Sequence, residues 1–535
     1  MTVSTIAAAT IVPGHARAQS ADGDVAQLRQ QLRVLQQRLD QLERSGGSNA
    51  TVRRAAADAE AARRQAAAAQ AEAAAARQQV EAAQAHGALD TAVRVNAGGD
   101  DNRPLTLGDL RGSLPNSFRI PGTDTSVRLY GFVKLNMSGD LGPRNRSDTI
   151  TGQSLPLSHG PNNSRTGGDF QASARRTRVG IESLTPFGDA GDLRIQIEGD
   201  LAGQNTDLTT QGTGNAYTPR LRQAWAEFGR LQGWGTILAG QANSLWNDSE
   251  YGAIAGIQQL TDWTAPTQSA VRQAQLRYSK GFGPVIVQLS IENSYSDVTS
   301  ASTTLAPDAA ANGGAGWAAN NVPDFLARVT YRGDTYWADV RGMVREIRLD
   351  NDGATAANQR FTETATGWGM GVSGGIRLLD NRLVLFAQAH WGDGIGRYLD
   401  ATSNGFGAVT NAGMAGVTPG QTKLNTVRVL AGNVGAAYYF TPTFRTNLWL
   451  AGAHLGYPSY VEQFGACAGT TAAGTCNTVN RSMWATTVNL IWSPIPRIDV
   501  GIEWQHAVRT LEARNTDGAL AGTADRIQAA VIARF

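Results

Sequence analysis

The feature that most restricts this chain is a two-residue alternation of polarity that recurs from residue 126 to the last residue, Phe535. In the first segment Val127, Leu129, Gly131, Val133, Leu135 and Met137 share one face, while Arg128, Tyr130, Phe132, Lys134 and Asn136 share the other. Leu193, Ile195 and Ile197 oppose Arg194, Gln196, Glu198 and Asp200 in the same way. Near the end Ile498, Val500, Ile502 and Trp504 oppose Asp499, Glu503 and Gln505. The last segment sets Ile527, Ala529, Val531, Ala533 and Phe535 against Arg526, Gln528 and Arg534. A period of two marks strands with one apolar face. The segments are roughly 10–14 residues long, where a globular strand has about 5–6 and a tilted bilayer-crossing strand about 9–11.

About sixteen such segments begin near residues 126, 170, 191, 218, 234, 269, 283, 323, 335, 364, 382, 424, 442, 481, 496 and 523, the fifth and tenth being the weakest patterns. Their connections alternate in length. Long ones near 140–169, 203–217, 242–268, 295–322, 349–363, 393–423, 456–480 and 509–522 are separated by tight turns such as Gly281-Phe282-Gly283, Gly333-Asp334 and Asp380-Asn381. A barrel with short turns at one rim and long loops at the other requires this rhythm, and a soluble sandwich does not. Composition agrees. Charged residues are 17% and glycines number 61, against about 25% charged in a typical soluble domain. No apolar run reaches the roughly 18 residues of a helical span. A net charge of +2 gives no bulk attraction to nucleic acid. The expected fold is therefore all-β: a 16-stranded antiparallel transmembrane β-barrel over 126–535, with both chain ends on one side.

The N-terminal part reads differently. Residues 1–18 carry a short apolar run, Val3 to Val12, and Ala16-Arg17-Ala18 fits a signal-peptidase site. No basic segment precedes the run, so the true start is expected upstream; a plain disordered N-terminus is the alternative. Within 19–45, Val25, Leu28, Leu32, Leu35, Leu39 and Leu42 follow the alternating three-four spacing of a coiled-coil core. So short an α-helical coiled coil needs partner chains to hold it. Residues 46–90 are alanine-rich with interspersed Arg, Glu and Gln, a helix or stalk of about 50 Å or else a solvated linker. Residues 91–125 read as a linker. Export makes a disulfide between Cys467 and Cys476 the expectation, closing a short stretch of the seventh long loop and stiffening it by about 2–3 kcal/mol. No histidine or second cysteine pair accompanies them, so a metal site is not expected.

Several stretches resemble the DcaP-like trimeric outer-membrane porins: RLYGFVKLNMSGD from Arg128, SARRTRVGIES from Ser173, LRIQIEGDL from Leu193, RLRQAWAEF from Arg220, GDGIGRY from Gly392 and NLIWSPIP from Asn489. Terminal Phe535 resembles the signal read by the barrel-assembly machinery. The resemblance covers essentially all of 126–535. It implies a homotrimer in the outer membrane of a Gram-negative bacterium, surrounded by lipid and lipopolysaccharide, with a periplasmic coiled coil. It also implies passage of small, often anionic solutes such as dicarboxylates. Like general porins, such a protein would fold its third long loop inward, so that Trp246, Asp248, Glu250, Tyr251 and Trp263 line a constriction; an exposed outer loop is the alternative.

Within the barrel the basic residues on polar faces carry the functional expectation. Arg176 and Arg178 are predicted to share one face, as are Arg220 and Arg222; Arg128, Lys134, Arg194, Arg277, Arg328, Arg341 and Arg345 also fall on polar faces. Guanidinium forks suit carboxylates, and ladders of charge set selectivity in pores. The alternative is a ladder that only balances Glu182, Glu198, Asp200 and Glu292 in an unselective or carbohydrate-passing channel. A structural tether, with the stalk contacting the cell wall, is a third possibility. No enzymatic site or cofactor is expected. Gly369-Met370-Gly371-Val372-Ser373-Gly374 fits a dinucleotide fingerprint but lies within a strand with no following helix. His390, His454 and His506 fall in separate strands.

Overall fold

The structure, a computed structural model, describes residues 111–142, 155–158, 169–203, 217–229, 233–247, 271–300, 318–352, 360–399, 407–412, 414, 416–464, 479–514 and 518–535. The expected signal peptide, coiled-coil core and alanine-rich helix lie outside these residues.

One continuous sheet of nineteen strand segments forms the body. Two of these, Phe118–Arg119 and Ala318–Ala319, are two-residue flanks, and one crossing strand is broken in two, which leaves sixteen that cross. They are β1 (Ser126–Asp140), β2 (Asp169–Ser173 and Arg178–Pro186), β3 (Asp192–Asp200), β4 (Arg220–Gly229), β5 (Thr236–Asn243), β6 (Arg272–Phe282), β7 (Val285–Glu292) and β8 (Asp324–Arg332). There follow β9 (Tyr336–Asp350), β10 (Thr362–Leu378), β11 (Leu383–Asp393), β12 (Arg428–Thr441), β13 (Phe444–Gly456), β14 (Asn480–Ile495), β15 (Ile498–Leu511) and β16 (Ala521–Arg534). Each expected start lies within four residues of the observed one. Successive strands pair antiparallel, and β16 returns to β1 in register from Phe132↔Arg534 to Asp140↔Arg526. The Phe535 N–H then donates to the Gly131 carbonyl at 3.1 Å, completing the seam. Closure leaves no crossing strand with an unpaired edge, the condition hydrocarbon imposes on a sheet.

Tight connections collect at one rim and long ones at the other. The β10–β11 turn places Leu379, Asp380 and Asn381 in the left-handed region, at φ of 52°, 53° and 65°, a conformation that Asp and Asn tolerate. Large apolar side chains point outward and are exposed: Leu129, Val133, Ile181, Ile195, Val340, Val434 and Ile502 among them. Polar ones, including Asn136, Glu182, Asp339, Asn447 and Gln528, point inward and are buried. This reversal of the globular rule is what alternation means in a bilayer-crossing barrel. Exposed Phe187, Trp234, Phe282, Tyr336, Phe440 and Trp492 mark the short-turn rim, and Trp391 and Trp484 the strand ends nearer the long loops.

Two breaks in the alternation bear on the inner wall of β1–β4. In β2 the chain turns at 174–177, where the Thr177 N–H donates to the Ala174 carbonyl at 3.0 Å. Arg176 sits in that turn, so the shared face expected for Arg176 and Arg178 is interrupted. In β4 a bulge opposite Glu198–Gly199 sets Gln223 against Glu198 and Leu221 against Gly199. The extra residue lets Arg220, Arg222 and Trp225 all serve the inner wall. The outward Gln241 of β5 donates to the Leu221 and Arg222 carbonyls, each at 3.2 Å, and so covers the backbone that the bulge frees.

Candidate functional site

On the inner wall of β1–β4 five guanidinium groups gather around three carboxylates, with Glu227 opposite Arg194 on the same face. Glu182 on β2 accepts from Arg128 on β1 and from Arg194 on β3. On β3, Glu198 accepts from Arg222 Nε at 3.0 Å and lies 3.5 Å from Arg178 Nη1. Asp200 takes Arg220 in a fork, at 2.9 and 2.7 Å, and Arg222 Nη1 at 2.7 Å. Two-residue periodicity places these groups on one face, and antiparallel register brings Arg178 opposite Asp200 and Arg128 opposite Glu182. Aromatic rings back the cations. Arg128 stands over Tyr130 at 5.2 Å, Arg178 over Phe132 at 5.1 Å and Arg194 over Trp225 at 5.7 Å. Such stacking holds a guanidinium plane without neutralising it.

A different arrangement fills the interior beside β8–β14. Leu245 and Trp246, which follow β5, Ile395, Tyr398, Leu399, Val409 and Val427, which lie between β11 and β12, and Val461, after β13, are all buried there. They pack on inward Leu326, Met343, Val429, Ala431, Leu455 and Met483 of the wall. The long loops therefore bring a hydrophobic core inside the barrel. A three-stranded sheet adjoins it: Val298–Ser300 runs parallel to Ala408–Thr410, which pairs antiparallel with Leu424–Thr426. Trp246 is fully buried, 5.4 Å from His390 and 6.2 Å from Tyr398 between ring centroids. Burial, with Asp324 beside it, pushes the Tyr398 phenol well above its ordinary pKa, and its O–H donates to Asp324 Oδ2 at 2.6 Å.

The basic residues expected along the pore thus fall into two groups. Arg128, Arg178, Arg194, Arg220 and Arg222 form the β1–β4 ladder. Arg328, Arg341 and Arg345 are buried around the inward loops. Arg328 donates to the Asn247 carbonyl at 2.8 Å, and Arg341 pairs with Asp339 and lies 6.0 Å from the Trp246 ring. Lys134 points inward and is buried, and Arg277 donates to Gln275 Oε1 at 2.6 and 2.9 Å. Glu292 binds the Leu245 N–H at 2.9 Å and Gln273 at 2.5 Å. Asp248, Glu250, Tyr251, Trp263, Cys467 and Cys476 lie outside the described residues. Alternation did not reveal Asp297, Arg397 and Tyr398, because they sit in connections; Asp324 alone had a signal, sharing the phase of inward Leu326 and Arg328.

Among the described residues no group of His, Cys, Asp and Glu is arranged to hold a metal. His454 points outward, and outward His506 pairs with Asp525 at 2.7 Å.

No protein-family model matches the sequence, and no curated protein does. Among solved structures, the outer membrane channel DcaP of Acinetobacter baumannii matches with a TM-score of 0.56 at 20% identity, over 79% of this chain and 100% of that one. OprB of Pseudomonas putida and OmpF of Salmonella typhi align at a TM-score of 0.44 and 11% identity, over 76% and 77% of this chain and 94% and 98% of theirs. At those scores the second pair adds nothing to the first. What the barrel, its closed seam and its inward polar face establish together is that this chain has the fold of the Acinetobacter channel.

Proposed function

We propose that this chain is a porin of the Gram-negative outer membrane, a passive diffusion channel that favours small anions of the dicarboxylate type. The observation that carries the preference is an asymmetry of exposure in the β1–β4 ladder. Side chains of Arg128, Arg178, Arg194 and Arg220 keep between 25% and 42% of their surface open, whereas Glu182, Glu198 and Asp200 keep 1–6%. The carboxylates serve as covered struts and the guanidinium groups form the surface a solute meets. The guanidinium groups that stay open present positive charge to a solute while their carboxylate partners are covered, and exposed cations on a wall of low-dielectric surroundings raise the local concentration of anions.

In the same proposal the protein is a homotrimer in lipid and lipopolysaccharide, inserted by the assembly machinery through Phe535. Residues 1–18 direct export, the segment 19–90 forms a periplasmic stalk over its coiled-coil core, and Cys467–Cys476 is a loop disulfide. The third long loop adds Asp248, Glu250, Tyr251 and Trp263 to the solute path.

Purified protein in a planar bilayer under a KCl gradient tests this. Closures in three steps with a reversal potential on the chloride side are expected. The double variant Arg194→Gln/Arg220→Gln is expected to move that potential towards the potassium side. Conductance without anion preference would leave a general porin, and folded protein that never conducts would overturn the channel reading.

A further inference from the structure

On the opposite side of the barrel from the seam of β1 with β16, β10 presents three inward glycines in succession, Gly367, Gly369 and Gly371. Each leaves room that a neighbouring side chain occupies. A Cβ on Gly367 would lie 2.9 Å from Arg345 Cγ, and one on Gly371 2.8 Å from Arg341 Nε. On Gly369 it would meet Ile395 at 2.6 Å and Trp246 at 2.9 Å. The G-x-G pattern in this strand is a trough into which the loops settle.

At the head of the trough stands Arg345, whose guanidinium has no exposed surface. It pairs with Asp297 at 2.9 Å, lies 3.6 Å from Asp324, and donates to the Gly394 carbonyl at 2.9 Å and to that of Tyr295. One side chain of the wall thus grips the β7–β8 and β11–β12 connections together. Asp297 extends the grip: its Oδ2 accepts the Arg397 N–H at 3.1 Å and its carbonyl accepts the Ala408 N–H at 3.0 Å. Tyr398 reaches back to Asp324, and Gln273 donates to the Tyr398 hydroxyl at 3.0 Å.

We propose that the glycine trough of β10 and the Arg345–Asp297–Asp324 cluster form a lock that holds residues 394–399 and 407–412 of the β11–β12 connection inside the barrel, and that these residues set the channel's aperture. The aperture clause rests on the porin reading; the lock does not. A buried ion pair costs far more to break from one side than it contributes when whole, so the loops stay down as long as all partners are present.

The test uses the full chain in detergent micelles and then in bilayers. Asp297→Asn alters only the loop side of the lock, and Gly369→Val fills the trough without touching a charge; Arg345→Gln removes the pin itself. Amide hydrogen exchange over 394–399 and 407–412 is expected to accelerate at least about tenfold in each variant, while exchange in β1–β4 stays unchanged. Equal protection in wild type and in the folded Asp297→Asn and Gly369→Val variants would overturn the lock. In bilayers each variant is expected to raise unit conductance about twofold or add frequent substate openings. Faster exchange with an unaltered conductance keeps the lock and overturns its hold on the aperture. Wild-type protein that does not conduct sinks the porin reading and the aperture clause with it, and the exchange data still decide the lock.

Discussion

Glu182 illustrates what one residue does in such a wall. Covered almost completely, it binds Arg128 from one strand and Arg194 from another, so it ties three strands through two shared charges. Glu182→Gln should have two separable effects. Loss of a buried charged acceptor should lower stability by about 1–3 kcal/mol, visible as a lower temperature for the heat-induced mobility shift of the folded barrel. The reversal potential should move further to the chloride side, because the guanidinium groups stay in place and lose a counter-charge. A single-residue reading of the sequence could say that Arg128, Glu182 and Arg194 all face inward, since alternation fixes direction. It could not say which of them would be covered, because exposure depends on cross-strand register and on rings such as Tyr130 and Trp225 that lie beside them.

At the scale of elements, sixteen strands were legible because each needs only its own period of two and a turn signal at each end. The fifth was faint for a visible reason. β5 has eight residues, and Gly240, at φ 130°, faces Trp225 where a Cβ would come 2.4 Å from the Ala224 carbonyl. The tenth was faint for the opposite reason: its inward positions are glycines, and alternation between glycine and an apolar residue carries little contrast. What periodicity could not show was the content of the long loops, whose hydrophobic residues pack inside the barrel on contacts far apart in the chain. Tyr398 gives this loop core a pH signature. Its phenol is favoured in the neutral form when folded, with Asp324, Arg345, Arg397 and Glu292 as the charged groups around it. Stability from it is fully present below the unfolded tyrosine value of about 10 and declines as pH climbs above that towards the raised folded value. Protection of the 394–399 amides, corrected for intrinsic exchange, should therefore hold from pH 6 to 9 and fall above 10. In Tyr398→Phe that alkaline fall should be absent.

For the whole molecule, the outer wall needs a bilayer and the inner wall needs water, and only closure reconciles them. This division predicts that the barrel works independently of the segment 19–100. Deleting residues 19–100 should leave unit conductance and ion preference unchanged in bilayers, since the ladder and the loop core both lie beyond Arg111. A change in unit conductance would place part of the N-terminal segment in the solute path. Composition and alternation were enough to read the barrel as a class, because few charges and no helical span leave a chain this long little else to become. The arginine ladder was only half legible: the arginines were in the sequence, their partners in the register.

The seam between β1 and β16 has a further consequence. Arg526 and Asp140, bonded at 2.7 Å, are 386 residues apart, and the final residue supplies the last hydrogen bond to Gly131. No version of this chain that lacks β1 or β16 has a finished wall, since removing one terminal strand exposes two edges at once. Closure therefore depends on the last strand as much as on the first. A chain that has lost β16 keeps an open, adhesive edge on β1 and another on β15, and the last strand removes both by a single pairing.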